Sequence, residues 1–440
     1  MAGEWINCKL ADACRSIDYG LTASAADSAV GPRFLRITDI VSGHIDWNSV
    51  PYVTADDETV KKCRLDDGDI VLARTGASTG TSCYVSNPPS AIFASYLVRL
   101  KAKQEFDSRF LAYYLKSDAF WSYMRGVLGD KSAQPNASAS TMTKAPLHAP
   151  RNKAEQRAIA HILGTLDDKI ELNQRMNATL EEMARAVFKS WFVDFDPVRA
   201  KLALSEVEGA EGRDTGLPRE IADLFPDGFE DSELGDVPEG WEVTGLHAVA
   251  VLKKESVKPM QAPAKLWEHY SIPAFDAGRA PAVETGANIK SSKYRVPTAS
   301  ILVSKLNPRF PRVWLPDVQD EEAAVCSTEF MSFVPLHYAW RPFLYELMKS
   351  DVVQRGIQER VTGSTGSRQR ARPEDVAVMR IVVPSPELIE TFGRIVGPLH
   401  EKTLNCICES RTLAALRDTL LPKLISGELR VGDAARYLAV

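Results

Sequence analysis

Two stretches of the chain repeat one class of residue every seven positions. Ile159, Leu166, Asn173, Leu180 and Val187 form one row, and Phe392, Leu399, Cys406, Leu413 and Leu420 form the other. A period of seven keeps one seam of an α-helix turned toward a partner helix. From Ala154 to Trp191 the only helix-weakening residue is Gly164, which predicts one helix of about 38 residues, roughly 57 Å long. Asp194, Asp196 and Pro197 are expected to end it, and Pro384 and Pro386 precede the second row. Members of the two rows stand 233 residues apart, pair by pair.

Around these rows the patterning is shorter. FLRITDIV (34–41) and GDIVLART (68–75) predict strands, the second entered through an Asp-Asp-Gly turn. Phe110, Leu111, Tyr114 and Leu115 share one face of a helix predicted over 107–125, with Gly126 beyond its end. Gly-, Ser- and Asn-rich sequence follows at 129–143. The second half repeats this order. GWEVTGL (240–246) echoes GEWINCKL (3–10), and ASILVSKLNP (299–308) falls where GDIVLART fell. FLYELMKSD (343–351) matches FLAYYLKSD (110–118), and TGSTGSRQRAR (362–372) takes the place of the first glycine/serine loop. Agreement of order, offset and motif identifies a tandem duplication. The predicted fold class is α+β: two α/β domains in tandem pseudo-repeat, separated by two long helices that form an antiparallel coiled coil. Its parts are a first domain (1–152), a helix (153–196), an acidic linker (197–236), a second domain (237–385), a second helix (386–430) and a tail (431–440). Asn173 on the seam would set the register of the helix pair.

Composition adds constraints. At 440 residues, 45% hydrophobic and 25% charged, the chain reads as a soluble globular protein of more than one domain. No apolar run approaches the roughly 20 residues that span a bilayer, and MAGEWINCKL has no signal-peptide pattern, so a cytoplasmic location away from membranes is expected. Seven cysteines with no pair-of-pairs spacing read as free thiols, and seven scattered histidines predict no metal site. The net charge of −5 is misleading, because residues 202–236 hold eleven acids against two bases. The remainder of the chain is therefore net positive, by about four charges, which a polyanionic partner would feel locally.

Catalytic signals are few. NPPS (87–90) touches the Asn-Pro-Pro-aromatic signature of adenine methyltransferases, but Ser90 replaces the aromatic and no glycine loop for a methyl donor precedes it. A Pro-Pro turn between strands is the better reading. TGASTG (75–80) and TGSTGS (362–367) lack the Gly-Lys-Ser/Thr of a phosphate cradle. No nucleophile-elbow Gly-x-Ser-x-Gly is present, and no catalytic residue is assigned. Such poverty favours a binding protein over an enzyme.

Basic loops carry the binding candidates. Arg360, Arg368, Arg370 and Arg372 fall within thirteen acid-free residues together with Gln369. Arginine neutralises phosphates and reads guanine bidentately, and glutamine reads adenine. Lys131 and Gln134 occupy the matching, less basic loop of the first copy. Strand ends add Arg74 and Thr75 in the first copy, and Lys305, Asn307 and Arg309 in the second.

The order of domain, EQRAIAHILGTLDDKIELNQ…FKSWF helix, domain and helix ending LLPKLISGEL resembles the specificity subunit of type I restriction–modification enzymes over nearly the whole chain. The most specific segments are 155–195 and 416–430, followed by the GDIVLART and TGSTGSRQR loops. The resemblance implies two target-recognition domains, each reading one half of a split sequence in double-stranded DNA, and a helical ruler between them. It implies two methyltransferase subunits as partners, together with restriction/translocase subunits. S-adenosylmethionine, ATP and Mg would then belong to those partners, with no cofactor on this chain. Two competing readings are a coiled-coil scaffold without DNA readout and a self-sufficient DNA methyltransferase using NPPS.

Overall fold

A computed structural model describes residues 4–41, 43–129, 135–205, 216–362 and 369–433. The chain forms two compact units, Met1–Ile170 with Thr412–Val440, and Glu171–Arg411.

In the first unit the strands, in chain order, are β1 (Trp5–Lys9), β2 (Cys14–Tyr19), β3 (Arg33–Leu35), β4 (Ile70–Ala73), β5 (Ser82–Tyr84), β6 (Ala91–Phe93), β7 (Leu97–Ala102) and β8 (Pro146–Pro150). An antiparallel sheet has the order β2-β7-β4-β5, β3 pairs with β6 in parallel, and β1 pairs antiparallel with β8. The apolar run of β4 follows from burial on both faces. Ile70 and Leu72 enter a core with Phe110, Leu111 and Phe120, while Val71 and Ala73 enter another with Phe34 and Ile92. Alternate residues of a strand point to opposite faces, so a strand covered on both sides is apolar throughout.

Two local expectations change here. The helix predicted over 107–125 is two helices, α1 (Ser108–Tyr114) and α2 (Asp118–Leu128). Ser117 leaves helical geometry with ψ 158°, its hydroxyl donates to the Tyr114 carbonyl at 2.6 Å, and it caps Phe120 of α2. A serine that bonds its neighbouring backbone competes with the helix, and the apolar spacing does not register that. The strand predicted over 34–41 stops at Leu35, because the Asp39 carboxylate accepts from the Arg36 N–H at 2.8 Å and curls Ile37–Asp39 into a 3-10 turn.

The first long helix, α3, runs Lys153–Phe192, 40 residues. Asn152 caps it through the Ala154 N–H at 2.9 Å. Past its end Phe195 sits in the left-handed region (φ +55°), and a new helix, Asp196–Ser205, follows. Pro197 stands in the first turn of that helix, where its missing N–H is harmless, so it opens a helix as well as following one. The stretch expected as an acidic linker is partly packed: Val198 and Phe225 are buried in the core of the second unit.

Strands of the second unit include β9 (Glu242–Gly245), β10 (Ala250–Lys253), β11 (Leu266–Tyr270), β12 (Ile301–Ser304), β13 (Val313–Trp314), β14 (Ala324–Cys326), β15 (Phe330–Pro335) and β16 (Arg380–Val383). The order β10-β15-β12-β13, the parallel pair β11–β14 and the antiparallel pair β9–β16 follow the same plan as in the first unit. Ser350 separates α4 (Arg341–Lys349) from α5 (Asp351–Glu359), capping Val353.

The last helix, α6, runs Pro386–Ser426, 41 residues. Within the first unit Ile159, Leu163 and Leu166 of α3 share a core with Leu420, Leu424 and Ile425 of α6, and Asp167 pairs with Arg417 at 2.7 Å. Within the second unit Phe188 and Phe192 pack their rings 5.8 and 5.2 Å from Phe392. Rising residue numbers on α3 meet falling numbers on α6 in both units. Leu180, Val187, Leu399 and Leu413 are half-buried, and the other six seam residues are buried. Asn173, fully buried, donates from Nδ2 to Glu409 Oε2 at 2.8 Å and to Ser410 Oγ at 3.3 Å.

In each unit a short helix is anchored on a long helix by polar groups. In the first unit the Tyr113 hydroxyl donates to Asp167 at 2.7 Å, and Arg109 pairs with Asp168. Burial opposes the Asp167 charge, but Lys116, Arg417 and Tyr113 outweigh it and hold the carboxyl below its ordinary value. In the second unit buried Glu346 pairs with His400 at 2.9 Å and with Lys349 at 3.3 Å.

Candidate nucleic-acid interface

The candidate residues of the first unit gather where β4 ends. The Arg74 N–H donates to the Tyr96 carbonyl at 3.0 Å, and the Arg74 carbonyl accepts from Ala137 at 2.9 Å. Thr75 bridges to Asn136, and the Gly76 N–H donates to the Pro135 carbonyl at 2.9 Å. Gly76 sits at φ +76°, which glycine adopts without strain. Thr79 Oγ1 donates to the carbonyls of Gly76 and Pro135, closing the turn. The strand end and the segment 135–137 are therefore one hydrogen-bonded frame. The Arg74 guanidinium lies 4.9 Å from the Tyr19 ring centroid, and its Nε is buried without a partner among the described residues. Tyr19 and Tyr96 are exposed, the latter at 58%. Lys131 and Gln134 lie outside the described residues.

At the end of β12 the second unit builds the same frame with different side chains. The Lys305 N–H donates to the Glu329 carbonyl at 2.9 Å, and the Lys305 carbonyl accepts from Ala371 at 3.0 Å. Leu306 bridges to Arg370, and the Asn307 N–H donates to the Gln369 carbonyl at 3.0 Å. Asn307 adopts φ +48°, a left-handed conformation asparagine tolerates better than most residues. The frame brings Lys305, Asn307, Gln369 and Arg370 together. Arg370 pairs bidentately with Glu329, its Nε 3.0 and 3.1 Å and its Nη2 3.0 Å from carboxylate oxygens. That carboxylate raises the Arg370 pKa further above its usual value. Arg309 stacks over exposed Phe310 at 4.7 Å. Arg360 is placed differently: it follows α5 and donates from Nη1 to the Gly356 carbonyl at 2.8 Å, closing its own helix. Arg372 precedes the short helix Pro373–Ala377, and Arg368 lies outside the described residues.

Tyr19, Tyr96, Lys254 and Glu329 were not predicted. They flank the candidates through sheet pairing, and nothing in their local sequence distinguishes them from ordinary strand ends. Lys254 pairs with Glu374.

Other motifs resolve simply. NPPS is a turn between β5 and β6, with the Asn87 N–H donating to Asp67 at 2.9 Å and Asn87 at φ +43°. None of the seven cysteines is disulfide-bonded. Among the described residues no group of His, Cys, Asp or Glu could hold a metal ion, and no helix is long and apolar enough to cross a membrane.

Comparison with known proteins places this arrangement. Residues 29–182 match the family model described as the type I restriction modification DNA specificity domain. The chain is 26% identical over 471 residues to the Type I restriction enzyme HindI specificity subunit of Haemophilus influenzae, covering 97% of this chain and 100% of that one. It is 26% identical over 394 residues to the MjaIX specificity subunit of Methanocaldococcus jannaschii, covering 86% and 82%. Its fold is similar to the crystal structure of the type I restriction–modification S subunit from M. genitalium, with TM-score 0.58, 16% identity and 96% of each chain covered. Over most of its length the chain is similar to type I specificity subunits.

Proposed function

We propose that this chain is the DNA-recognition subunit of a type I restriction–modification complex, with each unit reading one half of a bipartite site in double-stranded DNA. The observation that carries this reading is the recurrence of one backbone frame at the ends of β4 and β12. Arg74/Tyr96 and Lys305/Glu329 make the same bond, as do Ala137/Arg74 and Ala371/Lys305, and Gly76/Pro135 and Asn307/Gln369. Two equal frames holding unequal side chains suit two reading heads for two different half-sites.

The remaining roles follow from the same reading. The seam of α3 and α6 is an antiparallel coiled coil between tandem target-recognition domains, supported by the helix contacts inside each unit. The candidate DNA contacts are Arg74, Thr75, Lys131 and Gln134 in the first domain, and Lys305, Asn307, Arg309, Arg360, Arg368, Gln369 and Arg370 in the second. Arg360, bonded into its own helix, is the one whose geometry suits this role least. The chain performs no chemistry itself. Two methyltransferase subunits and the restriction/translocase subunits dock on the helices, bring S-adenosylmethionine, ATP and Mg, and work with it in the cytoplasm.

Methylation mapping by single-molecule sequencing, in cells expressing this chain with its neighbouring methyltransferase, tests the reading. A bipartite adenine-methylated motif that disappears when this chain is deleted is expected. An uninterrupted motif, or one indifferent to the deletion, overturns it. Heat of S-adenosylmethionine binding by the isolated chain would instead favour a self-sufficient methyltransferase.

A further inference from the structure

The two units differ where a short helix meets a long one. Arg109 of α1, with Gly164 and Asp168 of α3, stands 233 residues before Pro342 of α4, with Gly397 and Glu401 of α6. The long helices keep that offset, starting at Lys153 and Pro386, so the positions correspond. In the first unit the Arg109 guanidinium lies against Gly164, where a Cβ would come 2.5 Å from its Cζ. Its Nη2 donates to the Gly164 carbonyl at 3.3 Å and to the Asp168 carboxylate one turn further on. In the second unit proline supplies no guanidinium. A Cβ on Gly397 would touch only Pro342 Cγ, at 3.7 Å, and a groove of about 240 Å³ stays open over Gly393 and Gly397. Glu401 on its rim is exposed and makes no ion pair among the described residues. Buried His400 also lines the groove, with Nε2 bonded to Glu346 at 2.9 Å and Nδ1 without a partner among the described residues. In a neutral ring that donates from Nε2, Nδ1 is an acceptor. Two arginines border the groove, but Arg341 donates to the Pro316 carbonyl at 2.5 Å and Arg394 to the Thr391 hydroxyl at 2.8 Å. Neither neutralises Glu401.

We infer that this groove receives the guanidinium of an arginine presented by a methyltransferase subunit, which pairs with Glu401 as Arg109 pairs with Asp168. The inference rests on the docking of methyltransferase subunits on the long helices. The first unit shows what the cleft accepts: a planar cation against a glycine, with a carboxylate one turn away. A guanidinium carries five N–H donors, enough for Glu401, the Gly397 carbonyl and His400 Nδ1 together. A lysine ammonium is a compact, strongly hydrated point charge that fits a flat cleft less well. An apolar side chain would cover Glu401 and His400 Nδ1 and leave both without partners. Exposed ion pairs contribute little, but a docked subunit excludes water from this one, and charge-assisted bonds then count. The first unit fills its own cleft, so only the second takes an arginine from outside. Two repeats of one architecture thereby present unequal docking faces.

Native mass spectrometry of the full chain with its neighbouring methyltransferase subunit counts the subunits bound and gives an affinity for each. Glu401→Gln should keep one subunit and bind the other about 10- to 150-fold more weakly, the range of a hydrogen bond to a charged group. Gly397→Ala should weaken the same subunit while the chain stays at least as stable, which separates lost docking from lost folding. Pro342→Arg supplies a guanidinium from within, as Arg109 does, and should exclude the partner's. Adding Glu401→Gln to Pro342→Arg should then cost no further affinity. When surface arginines of the methyltransferase are replaced by glutamate one at a time, one replacement should weaken binding to the wild-type chain and be rescued by Glu401→Lys. Unchanged affinity in Glu401→Gln and Pro342→Arg, additive losses in the double variant, or no arginine rescued by Glu401→Lys overturns the inference and leaves the DNA-recognition reading standing. A wild-type chain that binds no methyltransferase subunit overturns both.

Discussion

Two glycines one turn apart on α6 should respond to alanine in opposite directions. A Cβ built on Gly393 would lie 2.5 Å from the carbonyl oxygen of Ala339, whereas one on Gly397 would meet only Pro342 Cγ at 3.7 Å, an ordinary contact. In a helix interior Gly→Ala normally stabilises by about 0.8–1 kcal/mol. Gly397→Ala should show most of that gain. Gly393→Ala carries the same propensity term, but Ala339 must withdraw by the better part of an ångström. Ala339 lies in the 3-10 turn Tyr338–Trp340 that leads into α4, beside the buried Phe343 and Leu344, so the carbonyl is not free to move. Overpacking against a fixed neighbour costs about 1–3 kcal/mol, which leaves Gly393→Ala destabilised by up to about 2 kcal/mol. The two variants should therefore differ by about 1–3 kcal/mol in urea unfolding followed by tryptophan fluorescence, with the transition of the second unit as the readout. Equal stabilisation by both would refute the close approach of α6 to the Ala339 turn, and with it the docking of α4 on α6.

Other expectations are quickly stated. Asn173→Leu removes a buried Oδ1 with no partner together with the bonds to Glu409 and Ser410. It should raise stability by about 1 kcal/mol while weakening register, seen as a higher urea midpoint with heterogeneous sedimentation; a well-ordered monomer of lower stability would count against the register role. Asp167 is held charged below the ordinary carboxylate range, so its contribution is complete above about pH 4 and disappears as pH falls through its lower folded value. Asp167→Asn should therefore reduce stability at neutral pH and flatten the acid limb of the stability curve. An acid limb of unchanged slope would show that the ion cluster contributes little. Gly164→Ala would push against the Arg109 guanidinium, 2.5 Å from Cζ. Its gain should be near zero alone and about 0.8–1 kcal/mol in an Arg109→Ala background; additivity of the two changes argues against the contact.

The sequence made the frame legible because frames are built from periodicity. A seven-residue stripe buries one seam, and α3 and α6 start where it predicts, at Lys153 and Pro386, but stop at Phe192 and Ser426, four residues short of the bounds 196 and 430. The apolar runs of β4 and β12 announce strands covered on both faces, and the 233-residue offset announces the second copy. Local polar chemistry was harder to see. Ser117 split the predicted single helix because a hydroxyl can satisfy its own backbone, Ser350 plays the same part in the second copy, and Asp39 shortened a strand through its carboxylate. The arginine-rich loop was visible as composition, but Arg360 turned back onto its helix and Arg370 took a carboxylate partner 41 residues away.

What the chain alone determined is where the two long helices and the strand ending at Arg74 lie, and which half of the chain holds the arginine-rich loop. What only the tertiary structure decided is which side chains gather at the ends of β4 and β12. Tyr19 and Tyr96 beside Arg74, and Glu329 beside Arg370, meet through sheet pairing between distant segments. Hydrophobic period is a property of neighbours along the chain, whereas a recognition surface is set by backbone hydrogen bonds across it, and no local pattern encodes those partners.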